Sequence, residues 1–454
     1  MARQKNDFDL IVIGSGAAGG AAALMAASAG QKVALVEMGK WGGSSLNYTG
    51  VPMDALFHAS HLLTAAVEGV KFGISSGNLH YNYPTINNWK NVAMRRAGAG
   101  SKKAFEDAGI TAIHGRAHFL GPYQISVGNH QLSARKFLIA TGSLPLDTGI
   151  KGLDQVNFMT PDSILEIIRP PRTVFIVGAG STGCEVAQYF AELGSKVLIA
   201  EVAGRLLPAE DEEVGQVLDG CFNRLGIKVL TQSRVVALER DSVSKKVIFM
   251  RGGQEKSVRI DEIILCTGST PATDFGLENA GVRYSNKGVR VTKNLQTSMK
   301  HIFAAGDCIG GDSSTEKTVL EAAVAVANIV HRPKSIVDYS GLSRITRTYP
   351  EVASVGVTED DCIRHDRKIR KVVIPLSVAQ ASNTTDFRHG FVKILTDRNR
   401  KIIGASVVAP NAGVLIQELA LAVRLGLSAV DVAETPHVAS EWGEVVRIAA
   451  RRLA

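Results

Sequence analysis

One unit, an apolar run, a glycine turn and a helix-forming stretch, occurs twice in the chain and constrains its fold more than any other feature. At Asp9-Leu-Ile-Val-Ile-Gly14-Ser-Gly16-Ala17-Ala18-Gly19 an apolar run of buried-strand character meets G-x-G-x-x-G, and Ala-rich sequence continues through Ala29. Gly30 stops that helix, Lys32–Val36 reads as the next strand, and Glu37 stands at its end. Gly14 permits a tight turn, Gly16 lets the backbone approach a pyrophosphate, and Gly19 lets helix and strand pack closely. The free N–H groups of the helix start attract phosphate, and a strand-end acid accepts hydrogen bonds from a ribose hydroxyl. Dinucleotide contacts are therefore expected from Gly14, Gly16, Ala17, Ala18, Gly19, Glu37 and Met38.

The same unit returns at Thr173-Val-Phe-Ile-Val-Gly178-Ala-Gly180-Ser181-Thr182-Gly183, with a helix through Leu193, a stop at Gly194 and a strand at Lys196–Ala200 before Glu201. Gly14 precedes Glu37 by 23 residues, and Gly178 precedes Glu201 by the same 23. Two separate dinucleotide-binding domains follow, the second with contacts at Gly178, Gly180, Ser181, Thr182, Gly183 and Glu201. An acid at Glu201 repels a 2′-phosphate and favours NAD, while nearby Arg205 keeps NADP open. Three further strands end in ligand-type turns: Phe137–Ile139 before Ala140-Thr141-Gly142-Ser143, Ile263–Leu265 before Cys266-Thr267-Gly268-Ser269, and His301–Ala305 before Gly306-Asp307. An Asp at a strand's carboxyl end is placed to bond a polyol or ribose hydroxyl.

With 45% hydrophobic and 21% charged residues in 454, the chain is globular, and its 45 glycines follow no Gly-X-Y period. The net charge of +8 is dispersed, apart from knots at 364–371 and 398–401, so nucleic-acid binding is not expected. Five single cysteines, Cys184, Cys221, Cys266, Cys308 and Cys362, exclude a disulfide framework or structural zinc site and fit a reducing cytoplasm. No metal site is expected. The apolar run at the N-terminus is too short for a signal peptide, and Gly14–Gly30 lacks the Leu/Ile/Phe density of a membrane span.

The order of these pieces resembles the pyridine nucleotide-disulfide oxidoreductases, a family that includes dihydrolipoamide dehydrogenase, glutathione reductase and mercuric reductase. The resemblance runs over essentially the whole chain. It implies an α/β fold with two Rossmann-like domains, for FAD and for NAD, and a C-terminal α+β dimerisation domain. The FAD domain is expected at 1–148 and 270–338, the NAD domain at 149–269, and the dimerisation domain at 339–454. Gly43, Ser44 and Asn47 match the family's flavin-side loop, Ala117 a backbone loop near the adenine, and Thr141, Gly142, Gly306 and Asp307 further FAD contacts. Gly268 belongs to the matching turn of the second domain. Glu185 matches the acid that reaches toward nicotinamide and flavin. The segment beginning Tyr349-Pro350-Glu351 resembles the start of the dimerisation domain, implying a homodimer.

Departures from the family pattern carry the functional expectation. The family's redox segment has the form G-G-T-C-x-N-x-G-C-x-P-x-K, and here it reads Gly42-Gly43-Ser44-Ser45-Leu46-Asn47-Tyr48-Thr49-Gly50-Val51-Pro52-Met53-Asp54. Both cysteine positions are lost, to Ser45 and Gly50, and disulfide exchange requires thiolates. Asp54 replaces a lysine that the family pairs with the acid matching Glu185, so it is expected either to face that acid as a second carboxylate or to turn away and cap the helix that follows. The family's H-P-x-x-S-E is replaced by Pro436-His437-Val438-Ala439-Ser440-Glu441, which puts His437 one place late yet four residues before Glu441. His437 and Glu441 are thus candidates for a relocated acid/base pair, against an inactive vestige or an interface contact. Redox roles for Cys184 and Cys308 are disfavoured. The expected function is an FAD-dependent NAD(P)H oxidoreductase that passes hydride from NADH to flavin and on to a small-molecule, non-disulfide acceptor such as a quinone, with Gly50 leaving room for it. The alternatives are a dihydrolipoamide dehydrogenase-like protein with little lipoamide activity, or a flavin- and NAD-binding sensor or scaffold.

Overall fold

The computed structural model describes residues 6–74, 77, 79–98, 101–240, 244–331 and 334–454. The chain forms two compact units, one of Met1–Ala55, Thr85–Asp147 and Gly268–Asp338, the other of Leu56–Pro84, Thr148–Thr267 and Tyr339–Ala454.

The first unit is built on a seven-stranded sheet. Its parallel part places β1 (Phe8–Ile13) between β2 (Val33–Glu37) and the long strand His130–Ile139, with Thr111–His114 outside β2. Ile302–Ala304 pairs in parallel with the far half of His130–Ile139, and Gln124–Val127 and Ala117–Gly121 extend the sheet antiparallel. β1 is buried on both faces, which is why it reads as unbroken Leu-Ile-Val-Ile. Between β1 and β2 runs α1 (Ala17–Ser28), whose alanines combine high helix propensity with the small bulk that close packing on a sheet needs. Gly30, at φ +77°, ends the helix region and returns the chain to β2.

The second unit holds three sheets. A four-stranded parallel sheet is ordered Lys228–Leu230, β4 (Lys196–Ala200), β3 (Thr173–Val177) and Glu262–Leu265, with α2 (Ser181–Glu192) crossing between β3 and β4. An antiparallel hairpin sheet of Ser233–Arg240, Lys245–Arg251 and Gln254–Ile260 accompanies it. The C-terminal part is a five-stranded antiparallel sheet, ordered Ser343–Thr346, Glu351–Gly356, Ile402–Ala409, Phe391–Thr396 and Arg370–Pro375. Helices Ala412–Leu425 and Gly443–Leu453 contribute Ile416, Leu419, Val445 and Val446 to one core with Val392, Ile394 and Val407 of that sheet. Two α/β nucleotide-type folds and an α+β domain are thus present. Among the described residues no helix is long and apolar enough to cross a membrane.

Candidate functional site

The first glycine turn leaves β1 at Gly14, whose φ of +100° is open to glycine alone among common residues. A Cβ there would lie 2.3 Å from the carbonyl oxygen of Ala140, and one at Gly19 would lie 1.8 Å from that of Gly14. These two glycines serve the packing of turn, strand and helix. Gly16 differs: it caps α1 in an extended conformation, without a side-chain cap, and a Cβ on it would come no closer than 3.9 Å to any neighbour. Ala17 and Ala18 follow in the first helical turn, where the N–H groups have no intrahelical acceptor.

Glu37 is already engaged. Its carboxylate accepts hydrogen bonds from the backbone N–H of Ser15 at 2.8 Å, from Ser15 Oγ at 2.7 Å and from Gly39 N–H at 2.7 Å. Lone pairs remain for a ribose, yet the acid also ties the turn to the strand end. Ser15, which sequence reasoning passed over, completes this link by accepting from the N–H of Gly42 at 3.0 Å. Its signal was a hydroxyl inside the turn, where the second copy has Ala179. Met38 is largely exposed beside Glu37, and Ala117 is buried at the start of its strand.

The flavin-side loop packs directly on this turn, since a Cβ at Gly43 would lie 2.5 Å from Gly16 Cα. Asn47 acts as an internal brace, its amide donating to the carbonyls of Trp41 (2.9 Å) and Gly43 (2.8 Å). Hydroxyls occupy the family's thiol region: Ser44 lies 3.2 Å from Thr49, and Ser45 lies 3.2 Å from Thr315. The space expected at Gly50 is not there. A Cβ on Gly50 would lie 2.3 Å from the carbonyl oxygen of Ser45, so backbone already fills the side-chain direction. Asp54 sits in the first turn of the helix Val51–Glu68, where a carboxylate is favoured by the helix dipole.

Thr141 donates to the carbonyl of Ala272 at 2.8 Å, Gly142 has φ +70° with nothing near its Cβ direction, and Asp307 accepts from Ser143 Oγ at 3.2 Å. A polar cleft of about 280 Å³ opens beside Asp307, between Ser143, Ser269, Lys287 and Gly311. The N–H of Gly306 is held by Glu321 at 2.7 Å, and Lys317 lies 3.4 Å from the same carboxylate. Glu321 is fully buried on an apolar helix and was not anticipated.

The second turn repeats the glycine packing of the first and the two backbone bonds to its strand-end acid, without the serine link. A Cβ would meet Cys266 O at 2.4 Å from Gly178 and Gly178 O at 2.0 Å from Gly183, whereas Gly180 has nothing within 4 Å. Gly180 caps α2 without a side chain. Glu201 accepts from Ala179 N–H and Ala203 N–H, both at 2.8 Å. Ser181 receives a hydrogen bond from Thr346 at 2.9 Å and donates to Ile345 O at 3.3 Å, while Thr182 stays in the helix's first turn. Gly268 has φ +94° and open surroundings. A cleft of about 260 Å³ opens between Val202, Gln232, Arg234 and Arg251.

Of the three candidate catalytic residues, Glu185 accepts from the backbone N–H of Arg347 at 2.7 Å. His437 and Glu441 do not form a pair. His437 bonds Glu418 at 2.9 Å through Nε2 and the Thr435 carbonyl at 2.8 Å through Nδ1, because the helix Ala412–Leu425 presents Glu418 to it. Glu441 is exposed. All five cysteines are unpaired, and burial pushes the thiol of Cys308 up to about 12 and that of Cys184 well above its usual value. Among the described residues no cluster suited to a metal ion occurs.

Both turns therefore fit a dinucleotide: two glycines packed against their own fold, one facing open space, an uncapped helix start and a strand-end acid. Residues 8–328 match the pyridine nucleotide-disulphide oxidoreductase family and residues 342–450 its dimerisation domain, and the chain belongs to this family of FAD-dependent oxidoreductases. It is similar to the dihydrolipoyl dehydrogenase of Staphylococcus aureus, 30% identical over 459 residues that span 98% of this chain and 96% of that protein. The mercuric reductase of Bacillus cereus is 29% identical over 433 residues, 94% of this chain and 69% of that protein. Among solved structures, LpdA from Mycobacterium tuberculosis superposes with a TM-score of 0.88 at 25% identity, covering 98% of this chain and 99% of that one. Members of the family bind FAD and use NAD(H).

Proposed function

We propose that this chain is an FAD-dependent NAD(P)H oxidoreductase, with NADH the preferred donor, that delivers electrons to a small non-disulfide acceptor such as a quinone. The observation that supports this most is the pair Ser45 and Gly50 at the family's thiol positions, with the loop closed so that Gly50 has no room for a side chain. Cys184 and Cys308, beside the two glycine-turn regions, offer no substitute, since both are fully buried and held protonated.

In this reading residues 1–148 and 270–338 hold FAD, 149–269 hold the nicotinamide dinucleotide, and 339–454 pair two copies. Bound FAD would supply a two-electron acceptor for the hydride of NADH. The first turn would take the FAD pyrophosphate on the N–H groups after Gly16, Glu37 a ribose hydroxyl, and Asp307 a polyol hydroxyl. The second turn would take the NADH pyrophosphate after Gly180, with Glu201 on the ribose. Overall, two electrons and one proton from NADH, with one proton from solvent, convert a quinone to a quinol. The loss of both thiols, at Ser45 and Gly50, together with Asp54 in place of the lysine, supports a second reading, a flavin- and NAD-binding sensor without turnover. Five unpaired thiols suit a cytoplasmic setting for either.

Anaerobic titration with NADH, followed by stopped-flow mixing with quinones, distinguishes them. Oxidoreductase function requires flavin bleaching without a thiolate charge-transfer band and rapid reoxidation by a quinone. NADH binding without bleaching would establish the sensor reading instead.

A further inference from the structure

Glu201 is followed by a loop that doubles back over the second glycine turn. Ala203 N–H bonds Glu201 Oε1 at 2.8 Å, and Leu207 N–H bonds the carbonyl of Ala179 at 2.9 Å. Arg205 lies midway between these anchors, so its backbone is held beside the place where a coenzyme ribose meets Glu201. A guanidinium there is the natural partner of a 2′-phosphate. Arg205 is turned to another use. Its Nη2 donates to Asp360 Oδ2 at 2.5 Å, to Glu210 O at 3.1 Å and to Pro208 O at 3.3 Å.

Asp360 is itself well placed to hold on. It lies on the short helix Glu359–Arg364, which carries a capping box of Thr358 and Asp361. Glu359 N–H bonds Asp211 at 2.8 Å, and the fully buried Lys393 gathers Asp211 (3.4 Å), Glu213 (2.8 Å) and Glu359 (2.8 Å). Arg344 pairs with Glu210 at 3.0 Å on the same loop. The tether is not a full complement of bonds, however: Arg205 Nε is buried with no partner.

We propose that Asp360 is a positioning residue for coenzyme choice, acting through Arg205. By holding the guanidinium it withholds this one cation from a 2′-phosphate, and with Glu201 it favours the unphosphorylated coenzyme. This rests on the reading that the second turn binds a nicotinamide dinucleotide.

Calorimetry on the purified flavoprotein with ADP-ribose and 2′-phospho-ADP-ribose tests it without turnover. Wild type should prefer ADP-ribose. Asp360→Asn should narrow that preference by about tenfold, the scale of one charge-assisted hydrogen bond. Asp360→Glu should restore it, and Arg205→Ala in the Asp360→Asn background should return it to the wild-type value. A preference unmoved by Asp360→Asn, or a loss of 2′-phospho-ADP-ribose binding in Arg205→Ala alone, would overturn the proposal. Failure of wild type to bind ADP-ribose at all would instead overturn the reading of the turn, and the proposal with it.

Discussion

Gly180 and Gly183 belong to one motif but meet different surroundings, and alanine at each separates ligand contact from packing. At Gly183 a Cβ would lie 2.0 Å from Gly178 O and 3.0 Å from its carbonyl carbon. Turn and helix must part by more than an ångström, so Gly183→Ala should cost about 1–3 kcal/mol of stability, the range for overpacking a close-packed core. At Gly180 the backbone has φ −70° and ψ −174°, which any residue adopts, and nothing lies within 4 Å. Gly180→Ala should therefore leave stability within about 0.5 kcal/mol, the usual range for an unconstrained site. Its methyl group would, however, stand where the coenzyme phosphates approach the helix. NADH affinity should fall at least about tenfold, or 1.4 kcal/mol. Urea unfolding followed by circular dichroism gives the first quantity, and NADH calorimetry the second. Wild-type NADH affinity in Gly180→Ala would refute the assignment of this turn, and a wild-type urea midpoint in Gly183→Ala would refute the packing argument.

Gly50→Ala should lower stability by about 1–3 kcal/mol, since its Cβ meets Ser45 O at 2.3 Å; an unchanged urea midpoint would show the loop to be slack. Lys393→Ala leaves Asp211, Glu213 and Glu359 without their buried cation and should cost about 3–5 kcal/mol in the same measurement, a smaller loss meaning that water reaches the cluster. For His61, burial opposes protonation, but the hydrogen bond and charge of Glu192 outweigh it and raise the imidazole above 6.5. Its contribution is therefore fully present below about pH 6.5 and fades as pH rises through the higher folded value. The melting-temperature gap between wild type and His61→Gln should be larger at pH 5.5 than at pH 8.5, and a gap constant with pH would contradict this. Because Cys308 and Cys184 are buried and held protonated, iodoacetamide at pH 7.5 should not reduce NADH–quinone activity even after NADH pre-reduction; inactivation would point to a working thiol.

Much of the architecture is legible along the chain for a definite reason. Strands buried on both faces leave unbroken apolar runs, and Lys196–Ala200 and Phe8–Ile13 are read almost to the residue because glycine turns bound them. What escapes is whatever depends on groups meeting across the fold. Lys393 stands in Phe391–Thr396, a strand buried at every position, and its carboxylates come from 211, 213 and 359, which no spacing connects. His437 finds Glu418 on a preceding helix rather than Glu441, four residues away, because the 437–441 segment is not helical. Gly50 reads as an empty position, but an empty position in a close-packed loop lets the backbone move in.

Glu37 and Glu201 have one further consequence. Each carboxylate is tied to two main-chain amides at its own turn, so neither acid is free to be exchanged for the sake of coenzyme choice alone. Replacing Glu201 with a basic residue to recruit a phosphorylated donor would unfasten the very bend proposed to receive it. Redesign of donor preference, by evolution or in the laboratory, must start further along the chain.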